Sequence, residues 1–404
     1  MTTMTDPPQA NFSLSMLIND TRYRSYTFQV IAAILLATAL GYLYMNLVRN
    51  LEVAGLQIGF DFLSDPAGYD INQTLVEYDS QSPHSRAALV GILNTLLVAF
   101  LACVTATVFG VFAGVLRLSK NWLVSKIMAF YVEIFRNIPV LIWIIIIFTI
   151  MTAVMPAPRA FRGDEPEASM ILGSVAFTNR GVYIPAPIWG PGSIFVVATF
   201  VASVLGVFAY RRYATNLLYA TGKLLPTGWP SLAILFVPTL LVFFIMGRPI
   251  SLDYPVLGGF NFSGGIQIGG PLIALWFALS IYTGAFIAEN VRAGIMAVSK
   301  GQTEAASALG LRPNRVMNLV VLPQALRVII PPLISQYLNI TKNSSLAIAV
   351  GYADITATLG GITLNQTGRA IECVLLLMLF YLVISLTISA VMNVYNKSVA
   401  LKER

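Results

Sequence analysis

The chain has 404 residues, 57% of them hydrophobic and only 11% charged, with a mean hydropathy of +0.75. That leaves too little polar surface to coat a water-soluble globule of this length, so the composition excludes a soluble domain and indicates an integral membrane protein. The net charge of +7 reads as a bias of the loops that sets topology, and not as a nucleic-acid-binding surface.

Crossing the hydrocarbon takes about 20 apolar residues in helix, and eight stretches reach that order of length: 27 to 48, 87 to 115, 130 to 155, 193 to 210, 231 to 247, 271 to 290, 328 to 350 and 370 to 394. All are too long and too continuous for barrel strands, so the expected fold is all-α, a polytopic transmembrane helical bundle of about eight spans. Polar residues including Pro7 and Pro8 precede the first span, which is long enough to stay as an anchor, so no cleavable leader is expected. With the N-terminus in the cytoplasm, the inner segments hold Arg22, Arg24, Arg117, Lys120, Lys126, Arg211, Arg212, Lys223, Arg292, Lys300, Arg312, Arg315, Arg327, Lys397, Lys402 and Arg404. The outer segments hold only Arg49, Arg86, Arg159, Arg162, Arg180, Arg248 and Arg369. Both termini are therefore expected inside.

The expected organisation is a cytoplasmic segment 1–26, a first helix with its outer loop 27–86, and a first core block 87–155. An insert 156–270 with two extra spans follows, then a second core block 271–394 that contains a cytoplasmic loop 291–327, and a tail 395–404. The outer loop 49–86 and the stretch 156–192, with Asp164, Glu165 and Glu167, are either insertions that pack over the bundle or a docking surface for an extracytoplasmic protein. Gly110 and Gly114 form GxxxG in the second span, where two helix backbones can approach closely. Cys103 and Cys373 fall in apolar spans and read as small buried side chains. The single histidine, His84, lies in an outer loop, and no metal-binding or acid–base constellation is visible.

Charges at membrane depth are costly unless they pair or face a cavity. Glu133 with Arg136, and Glu289 with Arg292, sit three residues apart and are expected to neutralise each other on their own helices. If a helix begins at Pro331, Lys342 lies near the midplane, about 16 Å along it, with a stem long enough to snorkel. Asp354 follows Gly351 at the outer end of the same segment.

Segment 299–332 is the most structured polar part of the chain. Thr303 can cap a helix starting at Glu304, Gly310 stops it, Arg312-Pro313 restarts a second, and Leu322-Pro323 is expected to interrupt that one. The result is two short helices at an angle, exposed on the cytoplasmic side.

Glu304-Ala305-Ala306, Gly310 and Leu322-Pro323 resemble the EAA motif of transmembrane subunits of bacterial ATP-binding-cassette importers, at its usual spacing. Tyr282-Thr283-Gly284-Ala285-Phe286-Ile287-Ala288-Glu289, Arg292-Ala293-Gly294-Ile295, Gln324-Ala325-Leu326-Arg327, Lys342-Asn343-Ser344-Ser345-Leu346 and Phe135-Arg136-Asn137-Ile138-Pro139 resemble the polar amino-acid permease branch. The likeness covers about 87–155 and 271–394. The insert is similar to that of the larger, Q-type permease of general L-amino-acid or glutamate, glutamine, aspartate and asparagine uptake systems.

The resemblance implies a type I importer permease core with an inserted helix pair, multi-pass in the bacterial inner membrane, that moves polar L-amino acids by alternating access. It implies a coupling loop, formed by Glu304, Ala305, Ala306, Gly310, Leu322 and Pro323, that seats on a cytoplasmic ATPase dimer carrying ATP and Mg. It also implies a second, different permease subunit and an extracytoplasmic amino-acid-binding protein. The chain contains no GxxxxGK[ST] loop; Gly222-Lys223-Leu224 is the nearest approach, so it is not expected to hydrolyse ATP or to carry a cofactor.

A zwitterionic substrate needs a partner for each charge. Asp354 could meet the ammonium, and Lys342, or Asn343 with Ser344, the carboxylate; alternatively Lys342 ties its helix to backbone carbonyls. Where the family usually has Glu, this chain has Asp354. An ion-gradient-driven secondary transporter or channel is the alternative class, and would call for paired broken helices and an intramembrane carboxylate relay. A membrane-embedded enzyme is a weaker one.

Overall fold

The computed structural model describes residues 16–19, 21–53, 55, 58–163, 165–223 and 225–399. Pro7, Pro8, Asp164, Leu224, Lys402 and Arg404, with most of segment 1–26 and the end of the tail 395–404, lie outside the described residues, as does the side chain of Arg22. The chain forms two compact units, 1–61 and 62–404. In the first, α1 (Thr21–Val53) is a continuous helix of 33 residues whose apolar side chains, Leu35, Leu36 and Leu40 among them, are exposed, as suits a helix bathed in lipid.

The second unit is built around one central helix. Helices α2 (His84–Arg117), α3 (Trp122–Asn137), α4 (Val140–Ala153), α5 (Ser193–Thr221), α6 (Gly228–Ile245) and α7 (Gly270–Met296) are followed by α8 (Lys300–Ala308), α9 (Pro313–Val316), α10 (Leu322–Asn343) and α11 (Ala370–Val399). Helices α2, α3, α4 and α10 all pack on α7. Val98, Ala102 and Ala106 of α2, Ile144 of α4 and Ala325 of α10 are fully enclosed against Leu275, Leu279 and Ile287 of α7. Among the described residues seven helices are long and apolar enough to cross a membrane, or eight if the α3–α4 pair counts as one span. The helical bundle expected from the apolar runs is therefore present.

Three expectations are corrected. The run 130–155 is not one straight span: the helix stops at Asn137, restarts at Val140, and the two pieces are bent by 105°. Pro139 lacks an N–H and forces Ile138 into an extended conformation (φ −108°, ψ 132°), which no α-helix can include. Pro331 does not begin a helix; it lies with Pro332 inside α10, which starts at Leu322. Prolines are tolerated there because neighbouring helices and local adjustments re-satisfy the freed carbonyls. Nor is the unit purely α-helical. The outer stretches of the insert form short strands: β1 (Ala176–Thr178), β2 (Gly181–Ile184), β3 (Ala186–Trp189), β4 (Ile250–Asp253), β5 (Val256–Leu257), β6 (Phe262–Ser263) and β7 (Ile266–Gly269).

Strand pairing closes the insert on itself. The β3–β4 ladder, with Ala186 opposite Asp253 and Trp189 opposite Ile250, joins the chain entering α5 to the chain leaving α6. The antiparallel sheet β1–β2–β7 joins residues before α5 to those leading into α7. Helices α5 and α6 pack on each other, and Ser203 and Ala214 of α5 and Ser231 of α6 are buried.

The GxxxG pair has an intrachain partner. A Cβ on Gly110 would lie 2.5 Å from the Cβ of Ile287 and 2.9 Å from the Gly284 carbonyl oxygen, and one on Gly114 would lie 2.6 Å from the Ala288 oxygen. The motif sets the approach of α2 to α7, and polar contacts then hold the register: Trp276 Nε1 donates to Thr105 Oγ1 at 3.1 Å, and Tyr131 of α3 donates to the Ile281 carbonyl at 2.6 Å.

Candidate functional site

The inner loop is shorter on irregular chain than the sequence suggests. Helix α8 begins at Lys300 with Ser299 at its N-cap position, not at Glu304 with Thr303 as cap; Thr303 Oγ1 donates back to the Lys300 carbonyl at 2.7 Å. Gly310 ends the helix at φ +76°, with its N–H on Ser307 O and the N–H of Leu311 on Ala306 O. That left-handed turn costs a side-chain-bearing residue about 1–2 kcal/mol. Pro313 starts α9 as expected, but Leu322-Pro323 does not interrupt it. A π-helical turn, Met317–Val321, carries the chain from α9 into α10. The wider turn accommodates a residue with no N–H and a ring that would clash four residues back.

The loop is anchored on one face and open on the other. Ala306, Val316 and Val321 are buried together against Ile295 and Val298 at the end of α7. Glu304, Ala305 and Gly310 are exposed, and Gln324 Nε2 reaches Gln302 Oε1 at 3.4 Å, linking α8 to the start of α10. Of the six residues predicted for coupling, Glu304, Ala305, Gly310 and Leu322 face outward, Pro323 is half-buried, and Ala306 is the peg that fixes the rest.

Behind this loop lies an ion cluster. Glu289 pairs with Arg292 at 2.6 Å and also with Arg117 at the end of α2. Glu133, expected to pair with Arg136, instead lies 3.6 Å from Arg117, while the Arg136 guanidinium sits over the Phe286 ring at 5.2 Å. The cause is tertiary: α3 crosses α2 and α7 here, so Glu133 meets a cation on another helix and Arg136 an aromatic face.

On the outer side the predicted pathway residues do not converge. Lys342, twenty residues into α10 and so about 30 Å along it, lies at the outer end of that helix and not at the midplane, and is exposed. Ser344 is buried and donates to the Thr341 carbonyl at 2.7 Å; Asn343 is half-buried. Asp354 is completely enclosed. It caps the turn Ile355–Ala357, one carboxylate oxygen accepting from Ala357 N–H at 2.8 Å, while Oδ2 is buried without a hydrogen-bond partner. A cavity of about 650 Å³ opens in front of it, lined by Asp70, Gln73, Arg180, Gln267, Tyr352 and Asn365 among others. None of Lys342, Asn343, Ser344 and Asp354 lines it.

Residues 196–401 match the family model described as "Binding-protein-dependent transport system inner membrane component". The chain belongs to that family. It is 52% identical to the glutamate/glutamine/aspartate/asparagine transport system permease protein BztB of Rhodobacter capsulatus, with all of both chains covered. It is 44% identical to the general L-amino acid transport system permease protein AapQ of Rhizobium johnstonii, over 97% of this chain and 96% of that one. It is 47% identical to the putative amino-acid ABC transporter permease protein YhdX of Escherichia coli, over 94% and 95%. As an inner membrane component with these apolar helices, it is a multi-pass protein of the bacterial inner membrane.

Two residues of this inner membrane component escaped the sequence reading. Asn94 Nδ2 donates to the carbonyls of Gln73 and Ala353, each at 2.9 Å, and Tyr352 donates to the Asn94 carbonyl. Thr95 Oγ1 accepts from the Ile355 N–H at 3.1 Å. Together they pin two walls of the outer cavity to α2. The available signal was a polar pair inside the apolar run 87–115, where buried amides and hydroxyls need partners. His84 is likewise not a loop residue: it opens α2, is buried, and its Nδ1 lies 3.0 Å from Thr363 Oγ1.

Burial pushes the Asp354 carboxyl up to about 6. Its folded pKa therefore lies above the unfolded one, so the folded state binds the extra proton and stability falls as pH rises from about 4 through about 6. The melting temperature of the purified chain is expected to fall across that window. Asp354→Asn, which keeps the capping oxygen, is expected to remove that part of the slope. An identical pH profile in the variant would show that Asp354 does not titrate there.

Proposed function

We propose that this chain is the transmembrane permease subunit of an ATP-binding-cassette importer for polar L-amino acids, working by alternating access and driven by ATP and Mg on a separate cytoplasmic ATPase dimer. The observation that carries the reading is the α8–α9 loop. It presents Glu304, Ala305 and Gly310 to the cytoplasm while Ala306 locks it to Ile295, Val298 and Val321. A push on such a handle is transmitted to both α7 and α10, the central helix and one packed on it, and so can switch the bundle between two arrangements.

Amino-acid substrates are supported by the whole-length similarity to three permeases whose names specify amino acids. The outer cavity is of a size that suits a small ligand, and it carries a carboxylate, Asp70, and a guanidinium, Arg180, as a zwitterion requires. An extracytoplasmic binding protein delivers the substrate to that side, and a second, different permease completes the membrane pair. Within this reading Asp354 positions the cavity wall at Tyr352 and Ala353.

Cells lacking only this chain are expected to lose most ATP-dependent uptake of radiolabelled glutamate, glutamine, aspartate and asparagine, and to regain it when the chain is supplied in trans. Unchanged uptake, or restored uptake that follows an ion gradient with no ATPase co-purifying, would establish the secondary-transporter class instead.

A further inference from the structure

The helix pair α5–α6 is left with an unbalanced charge at its inner end. Between Glu167 and Asp253 the sequence contains no Asp or Glu, while Arg211 and Arg212 lie in the inner half of α5 and Lys223 follows its end. Arg211 is eighteen residues into α5, about 27 Å along it, which is the depth at which a membrane of about 30 Å hydrocarbon thickness ends and headgroups begin. Trp229, 83% exposed, sits at the start of α6 between Gly228 and Ser231, which line the same cleft as Arg211, as an aromatic side chain does at the interface.

At that level a cavity of about 400 Å³ opens between the two helices. Its walls are mostly apolar, with Val207 and Phe208 of α5 facing Leu232 and Leu235 of α6. Its polar end is Arg211, whose Nε reaches Ser231 Oγ at 3.4 Å. Neither Arg211 nor Arg212 forms an ion pair among the described residues. A greasy cleft that ends in an uncompensated guanidinium at headgroup depth is complementary to one kind of molecule.

We propose that α5 and α6 bind an acidic phospholipid of the inner leaflet, its phosphate held by Arg211 with Arg212 next to it in the chain, and an acyl chain lying in the cleft against Phe208 and Leu232. Basic pockets between transmembrane helices on the cytoplasmic side take such headgroups. A guanidinium recognises phosphate by paired N–H donors where an ammonium offers only a point charge.

The test is native mass spectrometry of the full chain in detergent, incubated with phosphatidylglycerol and phosphatidylcholine of the same acyl composition. The wild type is expected to retain phosphatidylglycerol in preference to phosphatidylcholine. Arg211→Gln/Arg212→Gln is expected to lower that preference by about 30-fold, the weight of two cations at an anionic surface. Leu232→Trp, which fills the cleft and leaves every cation in place, is expected to lower retention as well, and it keeps the test valid if the arginine variant folds poorly. Equal retention of both lipids, or unchanged preference in both variants, would overturn the proposal. Complete displacement by inorganic phosphate would also overturn it, since the ligand would then be a free anion and not a lipid.

Discussion

Glu304→Arg is expected to leave the chain inserted and folded and to strip it of the ATPase partner proposed above. Glu304 is exposed and its side chain makes no hydrogen bond or ion pair among the described residues, so within the chain the change should cost no more than about 0.5 kcal/mol. Against a partner the balance is different. Reversing a charge at a contact costs several kcal/mol, because attraction becomes repulsion and a partner group loses its counter-charge. Co-purification of the ATPase with the variant is expected to fall by roughly 100-fold or more, and transport with it, while size-exclusion behaviour matches the wild type. A variant that still carries its ATPase in full would remove Glu304 from the interface and the coupling role from this loop.

The second large effect is on folding. Gly110→Leu is expected to prevent α2 from docking on α7. Even the first carbon of the new side chain would meet Ile287 at 2.5 Å and the Gly284 backbone oxygen at 2.9 Å. The same contact is tight from the α7 side, because a Cβ on Gly284 would lie 3.0 Å from the Tyr131 hydroxyl and 3.4 Å from the Ala106 carbonyl oxygen of α2. Parting the helices would break the Trp276–Thr105 bond and pull Arg117 from Glu289. Overpacking costs about 1–3 kcal/mol, and more where backbone opposes backbone, so little monodisperse protein should survive extraction. Gly206→Ala in the insert is the contrast. Its Cβ meets only the end of the Ile234 side chain, at 3.2 Å, and the melting temperature should move by a few degrees at most. If Gly110→Leu purifies as well as Gly206→Ala, the α2–α7 packing is not what holds the core.

Much of the fold was legible in the chain because its signals are local. A span announces itself by about 20 apolar residues in succession, and a helix stop by Gly310. The segment proposed for coupling stood out for the same reason, since Glu304, Gly310 and Pro323 fall within about twenty residues. Even so, local rules misjudged what surroundings can absorb: Pro323 and Pro331 lie in helix because a π-helical turn and neighbouring helices compensate, and Thr303 bonds backward and does not cap.

The membrane class, most of the spans and the family motif could be read from the chain alone, because all are properties of residues near one another in it. Only the tertiary structure decided that Gly110 and Gly114 serve α7 within this chain, that Glu133 meets Arg117 and not Arg136, and that Asp354 is sealed behind the outer cavity as a cap. It alone shows that Asn94 ties residues 73 and 353 together. In each case the energy depends on a contact between segments tens to hundreds of residues apart, such as Asn94 with Ala353. A close approach or a buried polar bond of that kind is set by how the helices cross, which no stretch of sequence specifies alone.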